Sequence, residues 1–101
     1  MKTKRFHLGD VLSITTDRLV SPRRMQGVYD ILNFMTGDNL STYQLPRASD
    51  ACKPHLLAQF PQLAKVDASG VNSKNYAKWL DEQIAEYGWE FEVKPVPSGA
   101  H

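Results

Sequence analysis

The chain has 101 residues, a net charge of +1, 42% hydrophobic residues and 23% charged residues. Those values fit one small globular domain, 1–101, and exclude collagen-like, mucin-like and wholly disordered chains. No apolar run approaches the ~20 residues of a membrane span. The basic start lacks the apolar stretch of a secretory signal, and a single cysteine, Cys52, builds no disulfide framework. The expectation is a cytoplasmic protein that needs no cofactor.

Charge is distributed unevenly. Residues 1–24 carry Lys2, Lys4, Arg5, Arg18, Arg23 and Arg24 against Asp10 and Asp17. Residues 81–92 carry Asp81, Glu82, Glu86, Glu90 and Glu92 with no basic residue. The molecule therefore has a basic end, suited to an acidic partner or a phosphate backbone, and an acidic end.

Thr3 to Leu8 reads as a short strand with Phe6 and Leu8 on one side. Gly9-Asp10 opens a first helix with Asp10 as its cap, because a short carboxylate accepts orphan backbone N–H groups. Val11, Leu12, Ile14 and Leu19 give it apolar surface. Ser21-Pro22 marks the next helix start. Met25, Val28, Tyr29, Leu32 and Met35 form one face of a helix over 22–36, with Ile31 and Phe34 widening it. Gly37 suits the left-handed position that ends it.

The segment 37–47 reads as a structured loop. Ser49-Asp50 looks like a cap, with Pro54 tolerable only near a first turn, and Pro61 stops that helix. Leu63 and Val66 return to the core. Residues 67–73 read as a flexible linker. Asn72 or Ser73 caps a last helix, 73–87, with Tyr76, Leu80, Ile84 and Tyr87 on one stripe and Gly88 at its end. Trp89-Glu90-Phe91-Glu92-Val93 alternates as a half-buried strand should. Its natural partner is Thr3–Leu8, which sets Arg5 against Glu90 or Glu92. The predicted fold is α+β and mostly helical: three or four helices with a small terminal two-stranded β-ribbon, and a tail over 95–101.

No phosphate-loop, dinucleotide, nucleophile-elbow or zincin pattern occurs. Cys52 and His55 share a helix face, but only His7 and His101 remain as further nitrogen ligands, too few for a closed zinc site. A small buried cysteine and a surface histidine is the simpler reading. Asp38 and Asn39 follow Gly37, where both residue types are ordinary turn formers. A helix-turn-helix over 10–36 would need a polar second helix, and this one is apolar on most of its circumference. Tyr43 falls off every core stripe and, beside Arg47, is either the kind of residue that anchors an interface or one that folds the loop back onto the core.

Three stretches resemble a family of small phage and prophage proteins of unknown function. They are Leu8-Gly9-Asp10-Val11-Leu12-Ser13-Ile14-Thr15-Thr16 with Arg18-Leu19, Gly27 to Leu40, and Gln44-Leu45-Pro46-Arg47-Ala48 with Cys52, Pro54, Leu56-Leu57 and Pro61. The match covers about residues 8–63. The resemblance implies a mobile-element origin and no known activity, and it takes in the loop from Thr36 to Arg47. The expectation is a non-enzymatic accessory protein that binds a host protein, as an inhibitor of a host defence system in the manner of anti-CRISPR proteins. The partner-binding candidates are Tyr43, Arg47, Arg23, Arg24, Asp38 and Asn39. The alternative is a nucleic-acid-binding accessory or regulatory protein using Lys4, Arg5, Arg18, Arg23 and Arg24. Apolar surface on both faces of the second helix allows a homodimer.

Overall fold

The computed structural model describes residues 3–96. A strand β1 (Lys4–His7) leads into helix α1 (Leu8–Thr15), then α2 (Met25–Thr36), α3 (Leu45–Gln59), α4 (Tyr76–Tyr87) and a second strand β2 (Glu90–Val93). The expected α+β, mostly helical architecture is what is found. Short 3₁₀ turns occupy Thr42–Gln44 and Pro61–Lys65. Among the described residues no helix is long and apolar enough to cross a membrane.

α1 is the centre of the molecule. All eight of its residues are buried, because it packs against α2 and α3 and also meets the ribbon. Leu8, Val11, Leu12 and Ile14 form the middle of a core completed by Ile31, Leu32 and Met35 of α2 and Leu45, Ala48, Cys52 and Leu56 of α3. So short a helix is marginal alone, and burial on every side is what holds it.

β1 and β2 pair antiparallel, with Arg5 opposite Glu92 and Phe6 opposite Phe91. The Arg5 guanidinium lies 3.6 Å from the Glu90 carboxylate, two residues along the ladder. Phe6 and Phe91 face the core, where Phe6 meets Phe34 and Phe91 meets Phe60 edge-on. Beyond β2, the Gln59 side chain brackets Lys94, donating to its carbonyl at 3.2 Å and accepting from its N–H at 2.8 Å. The Val96 N–H then donates to the Met35 carbonyl at 2.9 Å, and Val96 is buried. Packed chain thus runs into the expected tail. Pro97 to His101 lie outside the described residues.

Several element starts differ from the sequence expectation. His7 caps α1, its Nδ1 accepting from the Gly9 N–H at 2.9 Å, and Asp10 sits inside the first turn with other partners. α2 starts three residues after Pro22: the Ser21 hydroxyl donates to Asp10 and accepts from the Arg23 N–H of an intervening turn, and Arg24 at φ 55° separates that turn from the helix. Its buried stripe is Gly27, Ile31, Leu32 and Met35. Met25 is exposed, and Val28 and Tyr29 are half-buried. α3 begins at Leu45, ahead of Pro46, where a missing N–H costs nothing. It continues through Pro54 without interruption of the helix. Asn72 caps a lead-in turn to α4, its Oδ1 accepting from the N–H groups of Lys74 and Asn75. The α2 terminus matches expectation, with Gly37 left-handed at φ 72°.

Segment 67–73, expected as a linker, carries specific ties. Ala68 is buried. The Arg18 guanidinium donates to the carbonyls of Ser69 and Val71.

Candidate functional site

The connector 16–24 joins α1 to α2 and is held by a buried carboxylate. Asp10 is fully buried, and the Ser21 hydroxyl donates to its Oδ1. The Arg23 guanidinium donates to Asp10 Oδ2 at 2.9 Å and to Asp30 Oδ2 at 2.7 Å. The two carboxylates hold the Arg23 guanidinium above its ordinary pKa, with the Asp10 hydrogen bond the largest cause. Two glycines leave room for this clasp. A Cβ on Gly27 would collide with Asp10 Oδ1 and Ser21 Oγ, and one on Gly9 would lie 2.6 Å from Pro22 Cδ. Ser13 completes the arrangement, donating to the Gly9 carbonyl and accepting from the Val20 N–H.

The clasp leaves a ridge, Arg18-Leu19, standing between two grooves. The first, of about 370 Å³, runs between the connector and the start of α3. Leu19, Met25, Val28, Leu45 and Pro46 line it, with Asp17, Arg18 and Asp50 among its charged residues. Leu19 is 51% exposed and Met25 41%. Thr42 also lines this groove, and its neighbour Tyr43 is 86% exposed. The Tyr29 hydroxyl and Thr42 Oγ1 lie 2.6 Å apart and hold the 3₁₀ turn that presents Tyr43. Among the described residues four large hydrophobic side chains are exposed, and three of them stand on or beside this groove. The fourth, Trp89, stacks at a tilt near His7.

The second groove, of about 480 Å³, lies on the other side of the ridge. Arg18, Leu19, Val20, Ser21, Pro22, Arg24, Val71, Asn72, Ser73 and Tyr76 line it. The Tyr76 hydroxyl donates to the Val20 carbonyl at 2.7 Å, and burial pushes its pKa up.

The predicted site residues separate accordingly. Tyr43 stands in solvent next to Thr42 of the first groove, and Arg47 is exposed one turn further on α3. Asp38 and Asn39 are exposed just past the end of α2, where the Asp38 N–H donates to Thr36 Oγ1. Arg23 is drawn into the clasp, while Arg24 lines the second groove. Of the basic set, Lys4 lies 5.3 Å from the centre of the Phe6 ring and Arg5 pairs with Glu90. Sequence reasoning missed Leu19 and Met25, which it assigned to the core. Cys52 is buried, and burial pushes its thiol up to about 11, opposite to what a nucleophile requires. Among the described residues no cluster of three metal-ligating side chains occurs.

A family model described as a domain of unknown function, DUF7736, matches residues 6–66. That span holds the second half of β1, the clasp, the ridge, the whole first groove and all of α3. No curated protein and no solved structure matches the chain.

Proposed function

The chain belongs to the DUF7736 family, and from that premise we propose that it acts by non-catalytic binding of a protein partner in the groove between connector 16–24 and α3. One observation carries the reading: Leu19 and Met25 are exposed together in one groove, and the exposed Tyr43 follows Thr42 of its wall. Large apolar side chains left in water at one place mark interaction surfaces. A tyrosine beside an apolar pocket with a mixed-charge rim has the anatomy of an interface anchor. The clasp fixes the connector before binding, so little ordering entropy opposes association. The resemblance of residues 8–63 to small phage and prophage proteins supports a mobile-element origin. The partner is then a host protein, and a component of a host defence system is the target class that suits a small blocking protein.

Nucleic-acid binding through the basic N-terminal surface is the weaker reading. Arg5 and Arg23 already pair with carboxylates, and the remaining candidates are divided between β1 and the second groove.

The test is affinity capture from nuclease-treated host lysate by the full chain and by variants. A protein captured by the parent should be lost on Met25→Glu combined with Tyr43→Ala, and retained by Glu82→Ala on exposed α4 surface. Capture that survives the groove variant overturns the reading. Recovery of nucleic acid alone, lost as salt rises, transfers it to the basic surface.

A further inference from the structure

The second groove differs from the first in the sign of its lining. It holds two arginines and no carboxylate, whereas the first mixes Asp17 and Asp50 with Arg18. Among the described residues neither Arg18 nor Arg24 pairs with an acidic side chain: Arg18 donates to two backbone carbonyls, and no ion pair includes Arg24. Two guanidinium groups therefore line one concave space, with the buried Asp10 behind its Ser21 and Tyr76 wall. Arg18 spends two of its five N–H donors on Ser69 and Val71, which fix the side chain and leave the others for a ligand. Ser73 and Asn72 stand on the same wall with hydroxyl and amide groups.

Arg24 also occupies a backbone conformation that favours glycine, φ 55° and ψ −135°. Such a conformation costs free energy in any residue with a Cβ. Among the described residues the Arg24 side chain makes no hydrogen bond or ion pair, and its charge acts on Tyr76 across the groove. Arg24 is the residue at the start of α2, its carbonyl accepting from the Gly27 N–H, and this backbone turn sets its side chain on the groove wall.

We propose that the groove lined by Arg18, Arg24, Asn72, Ser73 and Tyr76 binds the phosphate of a small phosphomonoester of about mononucleotide size. Two guanidinium groups match a phosphate dianion in charge and in forked geometry. The groove volume falls within the range of small-molecule sites. Leu19, Pro22 and Val71 give the remainder of the ligand an apolar wall. The site shares the Arg18-Leu19 ridge with the protein-binding groove, and Arg24 lines this groove and not the other.

The experiment is titration of the isotopically labelled full chain with AMP, ribose 5-phosphate and adenosine, followed by amide NMR. AMP should saturate and shift the amides of residues 70–76, and adenosine should leave them unmoved. Arg24→Ala and Arg18→Ala should each weaken AMP at least about tenfold, the loss expected for one charge-assisted contact. Arg24→Ala keeps the readout interpretable because its side chain makes no hydrogen bond or ion pair among the described residues. Ribose 5-phosphate binding as tightly as AMP would identify a sugar phosphate as the source of the same chemistry. No saturable shift in the millimolar range, equal binding of adenosine, or unchanged binding by Arg24→Ala would each overturn the proposal.

Discussion

The connector before α2 is tied to α1, α2, α4 and the segment 69–71, whereas the connector after it is tied to α2 and to its own residues. In residues 16–24 the anchors are Asp10 of α1, Asp30 of α2 and Tyr76 of α4, and Arg18 reaches across to Ser69 and Val71. In residues 37–44 the bonds come from Tyr29, Asn33, Thr36 and Gln44. The first connector is therefore part of the core's polar interior, and its shape is inseparable from folding. The second is a local structure added to the end of a helix. The two present the exposed apolar residues of one groove from opposite sides, one from a stiff wall and one from a separable turn.

Removing the anchor of the first connector should have the largest effect. Asp10→Ala leaves the buried Ser21 hydroxyl without its acceptor and frees the half-exposed Arg23, and should cost about 3 kcal/mol. Gly27→Ala forces a methyl group onto the same carboxylate and should cost a comparable amount. Urea unfolding at constant m-value measures both, and a loss below about 0.5 kcal/mol in either would show that the clasp does not hold the connector.

The helix that supports the second connector carries the next effect. The Cys52 thiol has a pKa raised to about 11 by burial in α3. A raised thiol pKa favours the folded state while the thiol stays protonated. The full contribution is therefore present below about pH 9 and is lost as pH rises through 11, worth about 2–3 kcal/mol. Stability measured between pH 8 and 11 should fall for the parent and fall less for Cys52→Ala. Equal slopes would place the loss elsewhere.

Arg24→Gly should act in the opposite sense. Relief of the left-handed backbone should stabilise the first connector by about 1 kcal/mol, seen as a raised Tm. Tyr43→Ala should change stability by less than about 0.5 kcal/mol, because an exposed side chain on the second connector holds nothing together. A large loss in that variant would erase the distinction between the connectors.

The same contrast decides what was legible in the sequence. Local signals read correctly: Gly37 as the end of α2, Pro61 as the end of α3, and the alternation that pairs Arg5 with the acidic residues of β2. Asp10 and Ser21 were misleading because each has the chemistry of a helix cap. Their actual partners are each other, eleven residues apart, and neither periodicity nor capping preference contains that distance. The error propagates into the groove. With α2 starting at Met25 and its stripe rotated onto Gly27 and Ile31, Met25 turns outward. Leu19 likewise lies past the end of α1. Tyr43 was legible because its neighbours placed it off every stripe. Arg24 gave no sequence signal at all, since a positive φ at arginine is imposed by the chain on both sides of it.

The pairing of β1 with β2 also has a mechanical consequence. Lys4 lies opposite Val93 and His7 opposite Glu90, so the two strands leave the ladder side by side at its Lys4–Val93 end. A pulling force applied between Lys4 and Val93 would load the rungs one after another, as a zipper is opened, instead of shearing them together. The ribbon should therefore part at low force, peeling Phe6 and Phe91 off the core while α1 to α3 remain packed.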